Sequence, residues 1–384
     1  SNYTAFVDGN TFNFNGAAGQ AIPAFFYFNI TSANATRTWA NSGIIDVKGT
    51  FSPAATAVNT ITGSTVRFSS TVPGINLTNY TTNVASRNFN NVIFDGVGGT
   101  WNAGAVLLRI DGSLTVNNGT LNIATSIAGT LIVDLTTTIN GGVLNISSNI
   151  GVGTATFTGA VTLNGGQLNL ANGTTIAGTG TATAAAINVL GGLFVVSNSA
   201  AAGTLTQSGV LTINGGTFRM TTTTGAATVN LNNNLTQTSG SFVRLGSGVA
   251  SFIIGGGVIQ TRNWTQGATF TMSGLTTFTM SGTLTTLRLM SDVNIGGATI
   301  NINSGFFINL QGFVISGGVG SVYRSYNGSR FTTSHAGGIA LAPAATGCIQ
   351  TATRYFGGSV IWTYNGSVAQ VTGTAFPGSV DGFT

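Results

Sequence analysis

The 384-residue sequence contains no Glu, one Lys, one Cys and one His, and charged residues make up only 5% of it, against roughly 25% in ordinary soluble domains. Each shortage closes off a class of function. A lone cysteine, Cys348, excludes an internal disulfide framework and cannot by itself build a cysteine-based metal site. Carboxylate chemistry falls to seven Asp. The formal charge of +5 comes from eleven Arg and Lys48 against those Asp. The Arg stand singly and form no run, so the basic stripe with aromatic platforms that nucleic acid requires is missing. Mean hydropathy is positive at +0.35, yet no run of 18 apolar residues exists to span a membrane. The opening SNYTAFVDGN lacks the basic and apolar regions of a signal peptide, which points to a processed chain or a piece of a longer one.

What the sequence has instead is glycine, 57 of them, with Thr, Asn and Ser supplying solubility. They fall into a returning phrase: VNNGTLNI (116–123), INGGVLNI (139–146), LNGGQLNL (163–170), VLGGLFVV (189–196), INGGTFRM (213–220) and QTSGSFVR (237–244). Leu121, Leu144, Leu168, Phe194, Phe218 and Phe242 hold the same place in it, at a period of about 24 that marks a solenoid. Within each phrase the alternation has period two, which means strand. Val161, Leu163, Leu168 and Leu170 are one set of four inward residues; Leu114, Val116, Leu121 and Ile123 are another. Asn-Gly between the strands suits a sharp corner, because both residues enter left-handed conformations cheaply. A hairpin would use the same pair, but the fixed period favours coils stacked in parallel. The expected fold is all-β, a parallel β-helix or β-solenoid, right-handed as parallel crossovers are. At about 24 residues each, the chain would hold about 16 coils.

Outward positions repeat as well: Thr115, Thr138, Thr162, Asn188, Thr212 and Thr236 form one file, and Asn122, Asn145 and Asn169 another, placed to bond to their copies. Gln237 and Arg244 fall in apolar slots, so the sixth coil should be reshaped. Three stretches of one continuous solenoid are expected: aromatic-rich irregular coils over 1–105, regular coils over 106–303, and C-terminal coils over 304–384. In the first, Thr38-Trp39 with Phe51 is echoed by Thr100-Trp101 with Leu114. NIGGATINI (294–302) is a late, shifted copy of the phrase. In the last, YNGSVAQ (364–370) matches FNGAAGQ (14–20), with Pro377 and Pro23 following, so a further block opens there and the chain should continue or assemble head to tail.

The segments FNGAAGQAIPAFFYFNIT (14–31), FNNVIFDG (89–96), GCIQTATRYF (347–356) and YNGSVAQVTGTAFPGSVDGF (364–383) resemble the very long, Gly/Thr/Asn-rich secreted β-helix proteins of Bacteroidota. The resemblance implies an adhesin-like protein of the cell surface, exported by the type IX route.

Chemistry-bearing residues are few. Asp111 and Asp134 each precede their coil's glycine by eight residues, so they should be stacked neighbours facing outward beside Arg109, about 4.8 Å apart. A surface pair neutralised by Arg109 is the plainest reading. A weak Ca²⁺ contact is second, limited by that ion's need for six to eight oxygens, and a catalytic dyad is third. His335 and Cys348 would make a nucleophile pair only in direct contact with an oxyanion hole beside them; a buried thiol and an exposed imidazole explain them as well. Nothing asks for a cofactor. Ice binding needs two parallel Thr files, and Ser113, Thr136, Ala160, Ala186, Val210 and Asn234 do not supply a second beside the first. The leading expectation is a non-enzymatic, extracellular structural segment of a bacterial surface fibre or adhesin stalk. A glycan-binding module is the alternative, and a polysaccharide-active enzyme or an ice binder stands further back.

Overall fold

The structure, a computed structural model, describes residues 9–16, 19–32, 37–53, 61–77, 88–103, 107–255, 260–274, 276–282, 285–340 and 346–373. No helix occurs among them; the strands pair in parallel and stack about 24 residues apart. The chain divides into two compact units, Ser1–Ala185 with Gly191–Gly203, and Ala186–Leu190 with Thr204–Thr384. Both are β-solenoids, and they share about 12 turns. The step between coils is not uniform: it is 21 residues at Asp46–Arg67 and 29 and 31 at Asn234–Asn263 and Ser321–Ala352.

In the first unit a coil has three walls, seen in Gly129–Val133, Thr137–Ile139 and Val143–Ser148. The next coil repeats them as Gly153–Leu163, which covers two walls, and Gln167–Asn172. Alternation turns every second residue inward. Leu121, Leu144, Leu168 and Phe194 occupy successive rungs of one column and are fully buried. The four-residue reading of the interior omits a wall: Leu131 and Val133 are also buried, between Leu108 and Ile110 on one side and Ala155 and Phe157 on the other. A second departure is Thr137, which stands between Leu114 and Val161 in an otherwise apolar column. The earlier coils pack large rings, with Phe51, Phe68, Phe89, Phe94 and Trp101 at centroid separations of 5.1 to 6.2 Å from their neighbours.

The corner glycines work differently from the expectation. Gly141, Gly142, Gly165 and Gly166 are not in the left-handed region. They are needed because successive corners touch: a Cβ on Gly165 would lie 2.0 Å from the Asn140 carbonyl oxygen, and one on Gly166 would lie 2.3 Å from that of Gly142. Gly119, Gly192, Gly215 and Gly240, in the corners of the other phrases, do adopt positive φ, at 75°, 65°, 109° and 89°.

In the second unit Phe218 and Phe242 are successive rungs, their rings stacked at 5.4 Å. Gln237 does not break the register: it follows Ile213 and precedes Gln266. Its Oε1 accepts from the Trp264 indole at 2.8 Å and Gln266 Oε1 accepts from the Asn294 backbone amide at 2.6 Å, while Gln237 Nε2 is buried without a hydrogen-bond partner. Arg244 lies just past the strand Leu235–Val243 and donates to the Ser247 carbonyl. NIGGATINI also proves misplaced, because Thr299–Ile302 pairs with Thr277–Ser281 and Val322–Ser325, a different wall from that of Phe218 and Phe242.

The two matching motifs share one hydrogen bond. Gly16 N donates to Gln20 Oε1 at 3.0 Å, and Gly366 N donates to Gln370 Oε1 at 2.5 Å. The strand Thr11–Phe14 leads into the first loop and Ile361–Tyr364 into the second. Pro377 and the residues after Gly373 lie outside the described residues.

Candidate functional site

Asp111 and Asp134 lie where alternation puts them, on the outside of adjacent coils, held by Arg109. The guanidinium donates from Nε to Asp111 at 2.8 Å and from its terminal nitrogen to Asp134 at 2.6 Å. Asn88 donates to both oxygens of Asp111, at 3.2 and 3.0 Å. All three charged side chains are roughly one-third exposed or more, so water screens the pair and its contribution to stability is small. A Ca²⁺ ion here would have to displace Arg109 and gather several further oxygens. Among the described residues no three His, Cys, Asp or Glu side chains come together.

His335 and Cys348 are each tied to other partners. The Gly337 amide donates to His335 Nδ1 at 3.1 Å. Cys348 is buried, and that burial pushes its thiol up to about 11 against a hydrogen bond to Thr333 that pulls the other way. A thiol in that state is protonated at neutral pH and is a poor nucleophile.

Among the described residues, the one buried carboxylate escaped sequence reasoning. Asp46 is 4% exposed and accepts from Arg67 Nε at 2.9 Å and from Ser69 Oγ at 2.6 Å. The two charged residues face each other across adjacent coils in Ile44–Val47 and Thr65–Phe68. The hydrogen bond to Asp46 raises the Arg67 pKa. The available signal was the shared alternation of IIDV and TVRF, but their spacing of 21 residues falls outside the 24-residue period.

The uncharged files form ladders. Thr115, Thr138 and Thr162 stack in the first unit, and Asn188, Thr212 and Thr236 in the second. Asn122, Asn145 and Asn169 are continued backwards by Asn102 and Asn76, each amide donating to the previous carbonyl at 2.7 to 3.3 Å. The expectation that this file is solvent-facing fails: Asn145 is 5% and Asn169 1% exposed. In the low dielectric of such a site a satisfied chain of amides holds the register firmly. Asn117, Asn140 and Asn164 make a second, exposed ladder at the corners, at 2.8 Å.

A paired Thr file does exist, on the wall the sequence reading left out. Thr130 and Thr154 share a hydrogen bond of 2.9 Å, Thr156 and Thr183 one of 3.5 Å, and Thr154, Thr156, Thr181 and Thr183 are exposed. Ile132 interrupts it in the first unit, and Asn230, Ile253 and Asn301 in the second. The second Thr file that ice binding needs is therefore missing only on the Thr115 wall. No family model, curated protein or solved structure matches the chain.

Proposed function

We propose that this chain is a structural, non-enzymatic β-solenoid segment of a bacterial surface fibre or adhesin stalk, lying outside the cell and continuing or assembling head to tail. The observation that carries the reading is the repeated loop. Asn29–Ser32 adds in parallel to Thr11–Phe14, the strand that enters the first Gly16–Gln20 loop. Ile361–Tyr364 precedes a motif with the same Gly-to-Gln hydrogen bond and so is suited to take a strand in the same way. Stacked uncharged ladders need no acid–base groups, and each described Asp has a local bond. Asp46, Asp111 and Asp134 pair with Arg, while Asp95 accepts from Asn118 and Asp292 from the Val314 amide. A solenoid of this kind extends by adding coils, each interface resembling the last.

Light scattering on the purified chain over a wide concentration range tests the self-association. Mass should rise above 38.7 kDa with concentration. A single species of that mass at every concentration would overturn head-to-tail assembly.

A further inference from the structure

The charge of the molecule is unevenly held. The first unit carries five cations and five Asp, while the second carries seven Arg, no Lys and only Asp292 and Asp381. The whole formal charge of +5 therefore belongs to the second unit. Of its two carboxylates, Asp292 accepts a hydrogen bond from the Val314 amide, and Asp381 lies outside the described residues.

In this unit Val322–Ser325 and Thr353–Phe356 run side by side, with Arg324 opposite Tyr355 and Ser325 opposite Phe356. The turns that follow enclose a cleft of about 400 Å³ lined by Arg324, Tyr326, Asn327, Tyr355, Phe356 and Gly357, among others. Its walls carry two exposed tyrosines. Tyr326 and Tyr355 are 46% and 53% exposed, whereas most other large rings among the described residues are buried or half-buried. The Arg324 guanidinium lies over the Tyr355 ring, 5.2 Å from its centroid. No carboxylate among the described residues is in ion-pair contact with it. A Cβ on Gly357 would lie 2.3 Å from Asn327 Oδ1, so the missing side chain is what lets the Asn327 amide sit against this wall.

We propose that this cleft binds an acidic saccharide, a pyranose unit carrying a carboxylate. Tyr355 and Tyr326 offer faces for the apolar side of a sugar ring. Arg324, placed over Tyr355, offers N–H groups for two parallel bonds to a carboxylate, the geometry a guanidinium serves best. Asn327 adds an amide for a ring hydroxyl. The volume falls within the roughly 300–1,000 Å³ of small-ligand sites and suits one or two sugar rings. The seven Arg of the unit supply a field that draws an anion toward it. Self-association is not required for this binding.

The test is calorimetric titration of the full chain with trigalacturonate at low and physiological salt, beside a neutral trisaccharide. Trigalacturonate should bind and the neutral sugar should bind more weakly. Arg324→Gln and Tyr355→Ala should each weaken binding by about tenfold or more, as loss of a charge-assisted hydrogen bond or a stacking face does. Arg324→Lys should fall between, and Arg288→Gln, at an exposed Arg outside the cleft, should bind as the parent does. Unchanged circular dichroism confirms that the variants fold. Absence of binding by the parent, equal binding of the neutral sugar, or an Arg324→Gln variant that binds like the parent would overturn the proposal. So would a single-stranded oligonucleotide that displaces the uronide and binds more tightly, since that would assign the aromatic–Arg cleft to base stacking.

Discussion

A residue buried in one of these columns meets copies of its own slot above and below, so its chemistry is judged by its neighbours along the stack. Thr137 shows the cost of disagreement. Its hydroxyl is buried with no hydrogen-bond partner, between Leu114 and Val161. A buried polar group left unpaired costs about 1–3 kcal/mol, and valine has nearly the same shape. Thr137→Val should therefore raise the denaturant midpoint, by about 1 kcal/mol of stability or more. A lower midpoint would mean that the hydroxyl has a favourable role the column does not explain. Gln237 is an intermediate case, a polar residue whose carbonyl oxygen accepts from Trp264 while its Nε2 is buried without a partner. From sequence, both residues are apolar slots filled by polar side chains; only the neighbouring coil distinguishes them.

At the scale of the coil, the decisive element is the corner. Backbones of successive corners approach so closely that a side chain has no room, whatever the local dihedral angles. Gly165→Ala would place a Cβ 2.0 Å from the Asn140 carbonyl oxygen, a backbone atom that cannot swing aside. Overpacking of this kind costs about 1–3 kcal/mol. Gly318→Ala, where the nearest atom is 3.8 Å away, should stay within about 0.5 kcal/mol of the parent. Chemical denaturation of the two variants measures the difference; equal midpoints would show that the corners have slack. The Asn-Gly-Gly phrase thus located the corners correctly, although among its glycines only Gly215 takes the left-handed conformation expected of them. The phrase also concealed a wall. Gly129–Val133 and its copies carry no double glycine and trade Leu131 for Ala155, so their period is faint. The paired Thr file on that wall stayed hidden with it. NIGGATINI misled for a related reason, since every wall shares the same two-residue alternation and the phrase alone does not say which wall it lies on.

Across the molecule, legibility follows the regularity of the coil. Where the step stays near 24 residues, the interior column from Leu121 to Phe194 and the Thr and Asn ladders could be read from spacing alone. Where the step departs from it, pairing could not be read. The Asp46–Arg67 contact at a spacing of 21 and the Arg324–Tyr355 pairing at 31 bring together residues that no fixed period aligns. The Arg109–Asp111–Asp134 cluster was legible because it lies in regular coils, and it has the bland geometry of a screened surface pair. The aromatic–cationic cleft was not, because it depends on two turns of unequal coils and on the absence of carboxylates around them.

In-register stacking at 24 residues is tested most directly by a cysteine pair across one rung. Thr130 and Thr154 stand opposite each other, their hydroxyl oxygens 2.9 Å apart. Neighbouring strands lie about 4.8 Å apart, within the roughly 4.4–6.8 Å between Cα atoms that a disulfide tolerates. In a Cys348→Ala background, Thr130→Cys with Thr154→Cys should close to a disulfide under mild oxidation, seen as a mobility shift that reductant reverses. Thr130→Cys with Ala155→Cys should remain reduced, because Ala155 is buried and faces the other side of its strand. Failure of the first pair to close, or equal closure of both, would contradict a parallel solenoid with this register.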